Sequence, residues 1–176
     1  LSVGYYLPEE SRQLAGQKVS LSIADRREDK SVFSETAKKG FNLWDGTYAL
    51  ALDGNPPPEP VETYDLPALF YEGMKKRLEA MQIDVVDASP GDVPALILTL
   101  EKVAVDVKGK TWYMEIAYTA QLSRDSSKIA REAVSGDAER TKIMGIGGGQ
   151  KLTGELFTDV INKLDIPKLF ENAGLL

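Results

Sequence analysis

From Trp112 to Ser123 the sequence alternates with a period of two. Trp112, Met114, Ile116, Tyr118, Ala120 and Leu122 share one parity, and Tyr113, Glu115, Ala117, Thr119, Gln121 and Ser123 share the other. Successive side chains of a strand point to opposite faces, so this pattern specifies a strand with one apolar and one polar face. The run before it is a natural partner. Leu96, Leu98 and Leu100 lie on one parity and Val103, Val105 and Val107 on the other, so a strand over 95–108 must switch its buried face near Glu101-Lys102. A β-bulge makes that switch. With Lys108-Gly109-Lys110 as the turn, the spacing predicts a long antiparallel hairpin.

Residues 127–142 (SKIAREAVSGDAERTK) read two ways. Ile129, Ala130, Ala133 and Val134 fall on one side of a helix that Ser126 or Ser127 would cap. A third antiparallel strand would instead cover the hairpin edge, and Gly136 is a poor helix-interior residue. We read a strand here.

Upstream, Lys18 to Ala24 alternates Val19, Leu21 and Ile23 against Lys18, Ser20 and Ser22, the mark of a half-buried strand. Tyr48 to Leu52 is a short apolar strand candidate, and Asp53 to Pro60, with four prolines in eight residues, is an extended loop that ends an element. Asp65 then stands before Leu66-Pro67, an N-cap followed by a first-turn proline. The helix that follows buries Leu66, Leu69, Phe70, Gly73, Met74, Leu78 and Met81 and exposes Glu72, Lys75, Lys76 and Glu79. Ile83 to Val86 is a short strand, closed by the turn residues Ser89-Pro90-Gly91-Asp92. A second amphipathic helix carries Thr153, Leu156, Phe157, Val160, Ile161 and Leu164, is ended by Asp165-Ile166-Pro167, and is followed by a last short turn with Leu169 and Phe170. Residues 1–16 have no sustained period and read as an extension with little structure of its own; residues 17–176 read as a single α+β domain. The expected architecture is a largely antiparallel sheet with a long β-meander and two amphipathic helices packed on one face.

Composition removes most recognisable chemistry. The 176 residues include no His and no Cys, which excludes Ser-His-Asp and Cys-His nucleophiles, thiolate or imidazole zinc sites and His-ligated haem. No cofactor or metal is expected, and only carboxylate, Lys, Tyr or Ser chemistry is left to an enzyme. A net charge of −6 argues against nucleic acid as a partner. No run of 18 apolar residues is present, so no transmembrane helix is expected.

Two motifs are candidates for binding. Gly147, Gly148 and Gly149 stand just before the second helix, where backbone N–H groups and the positive end of the helix dipole can meet an anion. Gln150-Lys151-Leu152 departs from both the dinucleotide and the phosphate-loop patterns, and the plainer reading is a flexible strand-to-helix connection. Asp25, Arg26 and Arg27 follow the first strand, and an arginine there can hold a carboxylate or phosphate through two bonds. The plainer reading is a solvated or internally paired charge cluster. Among the aromatics, Trp112 and Tyr118 lie on the core parity and Tyr113 on the polar one.

The order of features resembles the YajG-type family of bacterial lipoproteins. VSLSIADRREDKS (Val19 to Ser31) is similar to that family's early strand ending in an Asp-Arg turn, FYEGMKKRLEAMQIDVV (Phe70 to Val86) to its helix and short strand, and LILTLEKVAVDVKGKTWYMEIAYTAQL (Leu96 to Leu122) to its paired long strands. The resemblance spans about residues 18–165; residues 31–64 depart from it, being longer and proline-rich. It implies a strand over 127–142, an export signal and lipid-bearing Cys upstream of Leu1, and a domain tethered by residues 1–16 to the periplasmic side of a membrane, the outer membrane in particular. It brings no catalytic residues. The expected function is therefore a non-enzymatic envelope lipoprotein that binds a protein partner, with a small anionic-ligand binding domain as the alternative and an enzyme built on Asp, Glu, Lys or Tyr as a third class.

Overall fold

The computed structural model describes residues 2–9, 12–41, 51–52, 65–87, 93–124, 127–141 and 148–176. Its strands are β1 (Ser2–Val3), β2 (Lys18–Asp25), β3 (Ala51–Leu52), β4 (Asp84–Val85), β5 (Ala95–Lys108), β6 (Thr111–Arg124) and β7 (Ser127–Thr141), and its helices α1 (Glu35–Gly40), α2 (Leu66–Ala80), α3 (Gly148–Lys163) and α4 (Ile166–Asn172). Five strands form one sheet in the order β4-β2-β5-β6-β7, with β2 parallel to both neighbours and β5, β6 and β7 antiparallel. The meander is the one the alternation demands. Lys108 pairs with Thr111 across Gly109-Lys110, and Gly109 at φ +60° takes the first central position of a two-residue hairpin turn. The bulge falls where the parity switches, because Leu100 pairs with Tyr118 and Lys102 with Ala117, leaving Glu101 as the extra residue.

Residues 127–141 form a strand despite their helical pattern. Val134 and Ala130 are buried, and Gly136 leaves room for α3, since a Cβ there would lie 2.8 Å from Val160 Cγ2. Burial of the β6 edge and of this contact outweighs local helix preference.

Asp65 caps α2 as expected, accepting from Ala68 N at 2.9 Å. The helix closes through a left-handed residue, Gln82 at φ +61°, with Gln82 N donating to Glu79 O and Ile83 N to Leu78 O. That closure aims the chain into β4. The Asp165-Ile166-Pro167 triplet, expected to end the second helix, starts a new one: Asp165 accepts from Lys168 N at 3.0 Å and α4 buries Ile166, Leu169 and Phe170. Between β2 and α2, Ser34 caps α1, while Val32 and Phe33 lie beside β5 through Val105 N to Val32 O and Ser34 N to Val105 O. Residues 48–50, the proline-rich loop 53–60 and the turn 89–92 lie outside the described residues.

Helices α2 and α3 cover one face of the sheet, and the core lies between them. Leu96, Leu98, Leu100, Val103 and Val105 from β5 and the even residues 112–122 of β6 point into it. Phe70, Phe157 and Tyr118 meet edge to face, with ring centroids 5.2 Å apart for Phe70 and Phe157 and 6.0 Å for Phe70 and Tyr118.

Residues 1–16, expected to carry little structure, are docked where they are described. Val3 and Leu14 are fully buried, β1 pairs with β3, Gly4 crosses α3 at Gly154, and Tyr5 packs on Phe157 while its hydroxyl donates to Asn162 at 2.9 Å. Alternation cannot reveal such a segment, because its few buried side chains fill gaps between helices instead of forming one periodic face.

Candidate functional site

The loop after β2 separates the two neighbouring arginines. Arg27 is 6% exposed, and its Nε and Nη2 donate to the two carboxylate oxygens of Asp25 at 3.0 and 2.9 Å. Its backbone N–H also donates to Asp25 Oδ1 at 3.1 Å, and Lys30 Nζ lies 3.2 Å from the same oxygen. The Arg27 side chain, more than any other group, holds the Asp25 carboxyl down at about 2; its N–H and Lys30 act the same way, and partial burial opposes them. Asp25 and Arg27 are thus a structural clamp on the loop. Arg26, in contrast, is exposed, uses its backbone N–H on Leu100 O at 3.0 Å, and carries its guanidinium to the open face of the sheet without a hydrogen-bonding or ion-pair partner among the described residues.

The sign of the pH effect follows from the clamp. Because folding lowers the Asp25 pKa below 3.8, the clamp contributes fully above about pH 4 and is lost as pH falls through about 2. Wild type is expected to lose more melting temperature than Asp25→Asn between pH 4 and pH 2, measured by circular dichroism. Parallel curves for the two proteins would contradict the clamp.

Within the glycine run, Gly149 serves packing. Gly148 and Gly149 are the first residues of α3 instead of a loop before it, and a Cβ at Gly149 would lie 2.7 Å from the Phe41 ring and 2.9 Å from Trp112. Gly147 lies outside the described residues. Trp112 and Tyr118 are six residues apart on β6, about 20 Å at strand rise, and Arg26 bonds at the Leu100–Tyr118 register. Gly149 and Arg26 therefore sit at separate places and do not form one site.

What Arg26 does join is a groove of about 350 Å³ lined by Arg26, Thr99, Glu101, Thr119, Gln121 and Arg131. The bulge builds it. As the extra residue, Glu101 turns onto the polar face, where its Oε1 accepts from the buried Thr119 hydroxyl at 2.7 Å. Arg131 Nη2 donates to the same hydroxyl oxygen at 3.2 Å and lies 3.8 Å from Glu101. A second groove, of about 470 Å³, shares Arg26 and Glu101 and runs on past Arg27, Glu28, Asp29, Ser31 and Lys102, so that its charges balance. Thr119 and Arg131 escape sequence reading because three and four other strands, respectively, separate them from Arg26 in the chain; the parity switch at Glu101 is the one signal that marks the place.

A third groove, of about 330 Å³, lies toward the hairpin turn and includes Asp106, Tyr113, Glu115, Asp137 and Glu139. Glu115 pairs in register with Asp137 and is neutralised by Lys102 at 2.6 Å, while Lys108 Nζ stands 5.4 Å from the Tyr113 ring centre. Asp106 accepts from Ser34 at 2.5 Å, which lowers its pKa. Among the described residues no group of three His, Cys, Asp or Glu is arranged to hold a metal ion.

Under the helices, an apolar cavity among the described residues, beside Phe70, Met114 and Phe157, has a volume of about 10 Å³, at the lower limit for a single water. The carboxyls of Asp25, Asp29, Glu35 and Asp106 are all displaced downward by donors, the direction of structural pairing and opposite to that of a general acid held protonated at neutral pH. The buried Tyr118 hydroxyl is pushed up by burial and donates to Val160 O at 3.0 Å.

No protein-family model matches this sequence, and no curated protein matches it. Solved structures do share the fold. Protein XCC0632 from Xanthomonas campestris, described with the family model DUF330, superposes with a TM-score of 0.60 at 13% identity, covering 99% of this chain and 96% of the other. The hypothetical protein CT253 from Chlamydia trachomatis gives a TM-score of 0.51 at 10% identity, over 91% of this chain and 99% of the other. The rare lipoprotein B from Shewanella oneidensis reaches 0.48 at 11% identity, over 90% and 98%. At these identities the likeness is one of fold. Among the described residues no helix is long and apolar enough to cross a membrane.

Proposed function

We propose that this protein is a non-enzymatic, lipid-anchored envelope protein that faces the periplasm, with its anchor in the outer membrane, and binds a protein partner through the open face of its sheet. The observation that carries this reading is the asymmetry of the sheet. Among the described residues, α2 and α3 pack one face around a cavity of about 10 Å³, while the polar parity of β5, β6 and β7 carries three shallow grooves. Small-molecule sites are concave and enclose most of their ligand, whereas broad, open surfaces suit macromolecules. The address rests on the YajG-type resemblance.

Two measurements test the reading. The intact mass of the native product from its own membrane fraction should carry a lipid on an N-terminal Cys; an unmodified soluble mass removes the address. A photoreactive residue placed at Ala104 or Ala133 on the open face should crosslink one partner in cells, and one at Lys168 on α4 should not. Equal crosslinking from both faces, or none from the open face, removes the docking assignment.

A further inference from the structure

Resting on that reading, we propose that the groove between Arg26 and Arg131 receives a carboxylate side chain of the partner, presented on an extended acidic segment. Arg27 is already occupied by Asp25 through two bonds, and Arg131 is engaged by Glu101 and Thr119, so Arg26 is the guanidinium left to offer its donor fork. The fork of an arginine matches a carboxylate with two parallel bonds. Around it the groove supplies hydroxyl and amide groups from Thr99, Thr119 and Gln121, and two cations against one carboxylate. That local balance is positive on a chain whose net charge is −6, so an acidic segment is attracted to this place and repelled by the average surface.

The shape favours a chain over a metabolite. The groove is open and meets the larger one at Arg26 and Glu101, giving a path across the strands in which no small molecule is enclosed. Glu101 is the element that sets specificity. Its charge engages Arg131 and discourages anions that bring no compensating contacts, so neutralising it and neutralising Arg26 should act in opposite directions.

The test is a titration of the labelled full chain with hexaglutamate, followed by backbone amide and arginine Nε resonances. Arg26, Thr99, Thr119, Gln121 and Arg131 should shift together, and hexaglutamine should leave them still. Arg26→Gln should weaken the apparent affinity about tenfold, the value of one charge-assisted bidentate contact. Glu101→Gln, which keeps an acceptor for Thr119, should strengthen it several-fold. Absent or scattered shifts, an unchanged affinity in Arg26→Gln, or a weaker one in Glu101→Gln would each overturn the proposal. Inorganic phosphate saturating the same resonances at lower concentration than hexaglutamate would overturn it in favour of a phosphate ligand. If the titration fails while Ala104 and Ala133 still crosslink a partner, the docking face stands and only the acidic segment is lost.

Discussion

Phe157→Ala is expected to remove about 3–5 kcal/mol of stability, the usual cost of emptying a large aromatic site in a packed core. Phe157 is 1% exposed at the point where α2, α3 and the amino-terminal segment converge. Its ring lies edge-on to Phe70 at 5.2 Å and to Tyr5 at 5.9 Å, and its Cζ sits 2.8 Å from the place a Cβ would take on Gly73. Gly73 therefore forms the seat for the ring, and neither α2 nor α3 can close the gap without moving along the other. At this chain length the loss corresponds to roughly 2–4 °C of melting temperature per kcal/mol. Urea unfolding should show a lower midpoint with an unchanged slope. A loss under about 1 kcal/mol would mean that the α2–α3 contact is not seated on this ring.

Arg77→Met is expected to cost about 2–4 kcal/mol, although methionine preserves much of the apolar stem. Arg77 is 5% exposed on α2, and its Nη1 donates to Ile161 O at 2.6 Å. Ile161 lies in the last turn of α3, whose final four carbonyls have no partner within the helix. Tyr118 reaches the neighbouring carbonyl, Val160 O, from β6. Two buried donors from two elements thus terminate one helix, and the positive charge of Arg77 meets the negative end of its dipole. Combining Arg77→Met with Tyr118→Phe should cost less than the sum of the two, since both act on one helix end. Strict additivity in chemical denaturation, or a loss below about 0.5 kcal/mol for Arg77→Met, would show that the two donors do not work together.

An arginine at position 77 also shows where sequence reading stopped. It lies on a helix whose apolar stripe was legible from Leu66 to Met81, yet nothing in the period says that one cation of that helix turns inward. The partner that admits it is a carbonyl 84 residues away. The Asp-X-Pro triplets teach the same lesson. Asp65-Leu66-Pro67 and Asp165-Ile166-Pro167 are chemically the same N-cap, but the second follows an apolar stripe directly and reads as a stop until α4 is seen to bury Ile166, Leu169 and Phe170.

By itself the sequence determined the meander, its turn at Gly109, the bulge at Glu101 and the two helices that cover the sheet, because side-chain parity and helical period are local and leave a record along the chain. It also determined which chemistries are absent, through the lack of His and Cys. Only the tertiary structure decided that Val3 and Leu14 belong to the core, that Gly149 packs against Phe41 and Trp112, and that of two adjacent arginines Arg27 is locked while Arg26 has no partner among the described residues. Each of these depends on a neighbour remote in sequence, and burial against such a neighbour outweighs the fraction of a kcal/mol by which local preference differs between one conformation and another.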